Sequence, residues 1–278
     1  MVEKIEVGII GGSGFCTFPE MSIKEKVRLT TRHGEPSDEI SIGEYGGQII
    51  AFLPRHGYEH QLAPHLIPYR ANIDALKEVG IDTIIAFCAA GSLRKKIKPG
   101  DLVIPDQFVN LTWGRDATDN PSEEFIHLPM DEPYSQTLRE CICEEGEKIG
   151  LRIHKKGIVA VIQGPRFNTK AESDWFSRMG WSIVNMTQYP ECYFAKEEGI
   201  HYAAIAGITD YDVCLQNYGL SMSRDQIRET SQIFNENVTK CKQLVAQVLQ
   251  NWNSHKTKLM KLNTYYQPYY KKDDLEEK

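Results

Sequence analysis

Short apolar runs alternate with amphipathic stretches along nearly the whole chain. The runs predict strands at Val7–Ile10, Gln48–Leu53, Thr83–Cys88, Leu102–Leu111, Ile158–Ile162, Ile183–Met186 and Tyr202–Ile208. Several are apolar on both faces, as strands covered by helices on each side are. Helical spacing predicts helices at Pro64–Val79, Ser135–Ile149, Thr169–Met179 and Pro190–Gly199, and a long one over Ser223–Trp252. In that last segment Ile227, Phe234, Val238, Cys241, Val245 and Leu249 fall on one face. Strand–helix alternation of this kind implies an α/β layer architecture. No internal repeat and no Gly-, Ser- or Pro-rich linker divides the pattern, so residues 1–252 read as one domain. From 253 to 278 the chain becomes polar and tyrosine-rich, including Tyr265, Tyr266, Tyr269 and Tyr270. This reads as a frayed or surface-packed tail, with a partner-binding tail as the alternative.

Charge narrows the function classes. The 278 residues carry 32 Lys+Arg against 38 Asp+Glu, a net charge of −6, whereas a nucleic-acid binder would show a basic excess. No run approaches the roughly 18 apolar residues of a membrane span. Glu3 and Glu6 stand where a signal peptide would be cationic and then apolar. A soluble, cytoplasmic protein is expected, with neither nucleic acid nor membrane as partner. The seven cysteines are scattered without CxxC spacing, which predicts free thiols rather than disulfides or a zinc site.

Candidate chemistry collects after the strands, where ligands of open α/β sheets gather. Gly11-Gly12-Ser13-Gly14 follows the first strand. It could turn tightly and offer N–H groups to an anion, or be a plain turn. Its spacing does not match a dinucleotide fingerprint. Arg55 and His56, after the second strand, offer donors for an anion. His56, His60 and His65 do not read as a metal site, because Pro64 interrupts the run and no carboxylate stands at ligand spacing. Cys88-Ala89-Ala90-Gly91 is small enough for a ligand to lie on the backbone, or for a strand to pack closely on a helix. Phe167 could stack on a flat heterocycle, and Asn168 offers both donor and acceptor. Met186 presents a soft apolar surface, and Thr187 a hydroxyl. Asp210 and Asp212, beyond a buried strand, are costly unless partnered or functional; a surface turn is the plain alternative. Together these clusters predict one composite site for an anion, a flat apolar group and something held by carboxylates.

In order, the segments Ile9–Gly14 (IIGGSG), Leu53–Gly57 (LPRHG), Tyr69–Glu78 (YRANIDALKE), Ala89–Arg94 (AAGSLR), Pro99–Phe108 (PGDLVIPDQF), Gly164–Ser173 (GPRFNTKAES), Asn185–Glu191 (NMTQYPE) and Thr209–Asp212 (TDYD) resemble the 5′-methylthioadenosine phosphorylase branch of the trimeric purine nucleoside phosphorylase family. The resemblance spans about residues 5–250. It implies a three-layer α/β/α fold with a mixed, mostly parallel central sheet. The implied reaction is reversible cleavage of S-methyl-5′-thioadenosine by phosphate, giving adenine and 5-methylthioribose 1-phosphate in salvage metabolism. Phosphate is then a co-substrate and no cofactor or metal is required. By the same resemblance Ser13, Arg55, His56, Cys88, Ala89 and Thr187 would hold phosphate, and Met186 the ribose. Phe167 would pack on the purine, with Asp210, Tyr211 and Asp212 at its polar edge, and Asp210 and Asp212 as the catalytic pair. His127 would be lent to a neighbouring subunit's 5′ pocket, in a homotrimer or a dimer of trimers.

Several positions depart from the branch. Cys88 replaces a hydroxyl residue, and Asn168 stands where Ser or Thr is common. The loop Arg115–Pro121 lacks the usual aromatics, and Cys214–Met222 matches poorly, with Leu220 and Met222 as candidate methylthio contacts. Asp210 suits a 6-aminopurine, since it can accept from N6 while donating to N7. A same-fold phosphorylase acting on methylthioinosine, adenosine or another purine nucleoside is the near alternative. A water-using nucleosidase and a non-catalytic nucleoside-binding module are the more distant ones.

Overall fold

A computed structural model of the chain describes residues 5–115, 127–215 and 224–261. The strands are β1 (Val7–Gly11), β2 (Ser22–Val27), β3 (Ile40–Tyr45), β4 (Gln48–Pro54), β5 (Thr83–Ser92), β6 (Leu102–Val103), β7 (Gln107–Leu111), β8 (Ile153–His154), β9 (Ile158–Ile162), β10 (Ile183–Asn185) and β11 (His201–Tyr211). The helices are α1 (Tyr69–Glu78), α2 (Gln136–Lys148), α3 (Lys170–Arg178), α4 (Gln188–Glu197), α5 (Arg224–Gln250) and α6 (Trp252–Lys261). Among the described residues all eleven strands join one sheet.

β5 is its centre, parallel to β1 along one edge and to β11 along the other. Its alternation explains why the strand reads as continuously apolar. Ile84 and Ala86 face a core shared with Ile73 and Leu76 of α1 and Phe194 of α4. Ile85 and Phe87 face the opposite core, with Leu138 of α2, Leu244 of α5 and Trp252 of α6. Helices therefore cover both faces, and the architecture is the expected three-layer α/β/α with a mixed, mostly parallel sheet. The antiparallel pairs are β2–β3, β3–β4, β5–β10 and β6–β11. All seven cysteines are free.

The differences from the pattern-based reading have local causes. The strand expected over Leu102–Leu111 is two: β6 pairs with β11 and β7 with β9. Pro105 lies between them and has no N–H to give a ladder. The helix expected from Pro64 begins at Tyr69, because Pro68 holds Ile67 extended at ψ 129°. β2 escaped notice because it is an edge strand, exposed along most of its length and rich in charge at Lys24, Glu25 and Lys26. The tail expected from residue 253 starts as a helix. Trp252, His255 and Leu259 of α6 are buried at helical spacing, and a three-residue stripe between charged positions is a weak periodic signal.

Trp252 ties this last helix to the first strand's approach: its ring is buried in the α2–α5 core and its Nε1–H donates to Glu6 (3.0 Å). Trp252→Ala should therefore cost about 3–5 kcal/mol. Urea unfolding would measure it, and a loss under about 1 kcal/mol would show that α6 is not part of the cooperative fold.

Candidate active site

A cavity of about 840 Å³ opens where the carboxyl ends of β4, β5, β10 and β11 converge. It is lined by Ser13, Arg55, His56, Cys88, Ala89, Phe167, Asn168, Met186, Thr187, Asp210 and Asp212. The six sequence clusters thus come together in one space. Tyr211 does not join them: the cavity is lined without it, and its hydroxyl donates to the Lys95 carbonyl (3.3 Å). Strand alternation sends it away from its two neighbours. His127 is exposed and does not line its own chain's cavity. Leu220 and Met222 lie outside the described residues.

One end of the cavity is built around Arg55, which is 1% exposed. Its Nε donates to Glu191 Oε2 (2.5 Å), its Nη2 to Glu191 Oε1 (2.7 Å) and its Nη1 to the Phe87 carbonyl (2.7 Å). Tyr202 also donates to Glu191 Oε1 (2.7 Å). Burial alone would lower the guanidinium's pKa, but the Glu191 carboxylate outweighs it and holds the pKa above its ordinary value. Those three bonds leave two of the five guanidinium N–H donors for a ligand. Gly12 is required here: a Cβ would come within 2.5 Å of the Phe87 carbonyl and 2.7 Å of Arg55 Nη1. Gly14, at φ 72°, leaves room for the Phe234 ring of α5, which a Cβ would strike at 1.9 Å.

His56 is not the extra donor that the sequence suggested. Its Nδ1 lies 2.8 Å from the Leu62 carbonyl, which assigns the ring proton to that nitrogen. Burial, with help from Arg55 and His60 and against the Leu62 bond, pulls its pKa down to about 4. Neutral His56 therefore presents Nε2 as an acceptor. The Cys88 thiol faces protein, accepting from Gln188 Nε2 (3.2 Å) and pointing at the Ile205 carbonyl (4.0 Å), and burial raises its pKa. Only the backbone of Cys88-Ala89 is left to meet an anion. Thr187 is the N-cap of α4, yet its side chain makes no capping bond, so the hydroxyl is available to the cavity.

The opposite wall is acidic. A bulge between Ile208 and Asp210 breaks the alternation of β11, bringing Asp210 opposite Gly91. A Cβ on Gly91 would lie 3.8 Å from both Asp210 Oδ1 and Asp212 Cβ. Asp210 is half-buried and its Oδ1 accepts from Thr209 Oγ1 (2.7 Å). Asp212 is buried and clamped, its Oδ2 accepting from Asn168 Nδ2 (2.9 Å) and from the Ser173 hydroxyl of α3. Asn168 Oδ1 and both polar atoms of Asn185 are buried without a hydrogen-bond partner among the described residues. Leaving such groups unpaired costs about 1–3 kcal/mol each, which suits a site completed by ligand. Phe167, 78% exposed, stands at the mouth, and Met186 lines the wall.

Sequence reasoning missed Glu191, Tyr202 and Ser173, which touch the site only through Arg55 and Asp212. It also missed Thr230, Ser231, Phe234 and Asn235 of α5, and His60 at φ 57°, whose ring lies 4.4 Å from that of His56. A buried Glu opening a helix after Pro190 was the one available signal among these.

Two consequences can be measured. Glu191→Gln leaves Arg55 charged and unpaired in the interior, so it should cost about 3–5 kcal/mol in urea unfolding; a change under about 1 kcal/mol would mean the pair does not hold the site. His56 stays neutral in the fold while the unfolded ring takes a proton, so its contribution is full above pH 6.5 and is lost as pH falls toward about 4. Wild type should lose up to about 3 kcal/mol more than His56→Asn between pH 7 and pH 4, and equal losses would contradict the neutral assignment.

Comparison with known proteins agrees with this geometry. The sequence profile of the phosphorylase superfamily matches residues 6–250. The S-methyl-5′-thioadenosine phosphorylase of Thermofilum pendens is 39% identical over 248 residues, covering 89% of this chain and 92% of that protein. The enzyme of the same name from Thermococcus kodakarensis is 44% identical over 207 residues, covering 74% and 79%. Among solved structures, methylthioadenosine phosphorylase from Schistosoma mansoni without ligand superposes with a TM-score of 0.84 at 32% identity, covering 94% of this chain and 96% of that one. A variant of the adenosine/methylthioadenosine phosphorylase of that organism, in complex with methylthioadenosine, gives 0.85 at 31% identity with the same coverage. With the profile covering most of its length and its strand-end clusters gathered in one cavity, the chain belongs to the phosphorylase superfamily.

Proposed function

We propose that the chain cleaves S-methyl-5′-thioadenosine with inorganic phosphate, releasing adenine and 5-methylthioribose 1-phosphate. The observation that carries this is the lining of one cavity, which brings together cationic and hydroxyl donors, two carboxylates, and the apolar Met186 and Phe167. The relatives' names support the same substrate, as does the methylthioadenosine complex of the Schistosoma mansoni enzyme.

Ser13, the two remaining Arg55 N–H groups, the Cys88-Ala89 backbone and the Thr187 hydroxyl hold phosphate below the ribose. His56 Nε2 accepts the hydrogen of hydrogenphosphate, which orients the unprotonated oxygens toward C1′. Phosphate oxygen attacks C1′ as the C1′–N9 bond breaks, and the bonding pair leaves with the purine. The anion also offsets positive charge growing on the ribose. Asp210 donates a proton to N7 and accepts from the N6 amino group, so adenine leaves neutral. Asp212, fixed by Asn168 and Ser173, positions that edge rather than transferring a proton. Phosphate is a co-substrate, and the reaction needs no metal or organic cofactor.

The same reading places the enzyme in the cytoplasm as a closed homotrimer, with a dimer of trimers as the larger form, and His127 lent across the interface to a 5′ pocket. A second reading, adenosine as an additional substrate, is favoured by the polar side chains of Thr230, Ser231 and Asn235 along the cavity; a 5′-hydroxyl needs such partners and a methylthio group does not.

Base release from methylthioadenosine, methylthioinosine, adenosine and inosine, each with and without phosphate, tests both readings. Adenine release that requires phosphate is expected, and Asp210→Asn should lower kcat about a hundredfold or more. Adenine release without phosphate would make the enzyme a nucleosidase, and hypoxanthine release in preference would overturn the base assignment.

A further inference from the structure

Arg115 belongs to none of the anion or carboxylate clusters, yet its guanidinium joins two walls of the cavity. Its Nη1 donates to the carbonyls of Met186 (2.8 Å) and Tyr189 (2.7 Å), and its Nη2 donates to the carbonyl of Gln163 (2.8 Å). The same group lies 5.4 Å from the ring centroid of Tyr69, whose phenol is itself tied to the Pro64 carbonyl (2.8 Å). Its Nη1 also makes a longer bond to the Tyr69 hydroxyl (3.4 Å), so three of these four bonds go to backbone carbonyls.

Those carbonyls are not equivalent to others on the sheet. Met186 and Tyr189 bracket Thr187 and Gln188, the opening of α4. Tyr189 is non-helical there (φ −110°, ψ 134°) and Thr187 does not cap the helix with its own side chain. The first turn of α4 is therefore not held by helical bonding alone. Pro190, four residues after Met186, has no N–H to give the Met186 carbonyl, so that carbonyl needs an outside donor. Gln163 precedes the Gly164–Asn168 loop that carries Phe167 and Asn168. One planar fork thus sets the anion-facing turn against the purine-facing loop.

We propose that Arg115 is a positioning residue that holds the Thr187 turn in its phosphate-accepting shape and registers it against the Phe167–Asn168 loop. Only a guanidinium can do this: Lys has charge and reach but not the planar, divergent donors needed to span three carbonyls. The inference rests on the functional reading above, since it names phosphate as the anion that Thr187 meets.

The test is phosphate affinity by calorimetry, alongside phosphate KM, for wild type, Arg115→Lys and Arg115→Ala. Losing one hydrogen bond to a charged ligand weakens its binding about tenfold to a hundredfold, so both variants should bind phosphate more weakly by about that factor. Millimolar guanidinium should restore part of the loss in Arg115→Ala, which a merely destabilised fold would not show. If wild type binds phosphate and Arg115→Lys binds it within about twofold, or guanidinium rescues nothing, the positioning role is wrong and the functional reading stands. If wild type itself binds no phosphate, the functional reading falls and takes this inference with it.

Discussion

The site depends on a single buried ion pair. Arg55 leaves the end of β4, Glu191 opens α4, and Tyr202 and Phe87 reach them from β11 and β5. Removing two charges from water costs several kcal/mol per ion, so such a pair adds little net stability. What it contributes is geometry. With three donors committed and the guanidinium plane fixed, the remaining two N–H groups can point in only one direction. A surface arginine could offer the same donors but would lose rotamer entropy in holding a ligand. Here that loss is already met by folding.

The acidic wall shows how two carboxylates two residues apart acquire different surroundings. A regular strand would place Asp210 and Asp212 alike. The bulge at Thr209 changes the register, and Ser173 of α3 and Asn168 just before that helix hold Asp212. Asp210 Oδ1 accepts from the neighbouring Thr209 hydroxyl, one of its interactions. Environment rather than residue type separates the two carboxylates. On the opposite side, His56 follows the same rule: the Leu62 carbonyl takes its Nδ1 proton, and burial keeps the ring neutral.

The fold was legible wherever a strand was buried on both faces, because such runs cannot be solvated and have few alternatives. It was illegible at β2, whose exposure removes the apolar signal, and at α6, whose buried stripe is only Trp252, His255 and Leu259. The lining groups of the cavity were legible because they follow strand ends in sequence order. Residues that act through another residue were not. Glu191 is 136 positions from Arg55, and Ser173 is 39 from Asp212; no local pattern links them.

Residue order alone determined the α/β layering, the strand ends at which chemistry collects, and the kinds of group gathered there: anion donors, a flat apolar surface and carboxylates. Those follow from periodicity and side-chain chemistry, which are local. Tertiary structure alone decided that His56 accepts rather than donates, that the Cys88 thiol turns toward Gln188, that Tyr211 leaves the site, and that Asp210 and Asp212 differ. Each of these depends on burial and on a partner distant in the chain. Protonation state and orientation are set by the total surroundings of a group, and only the folded chain supplies them.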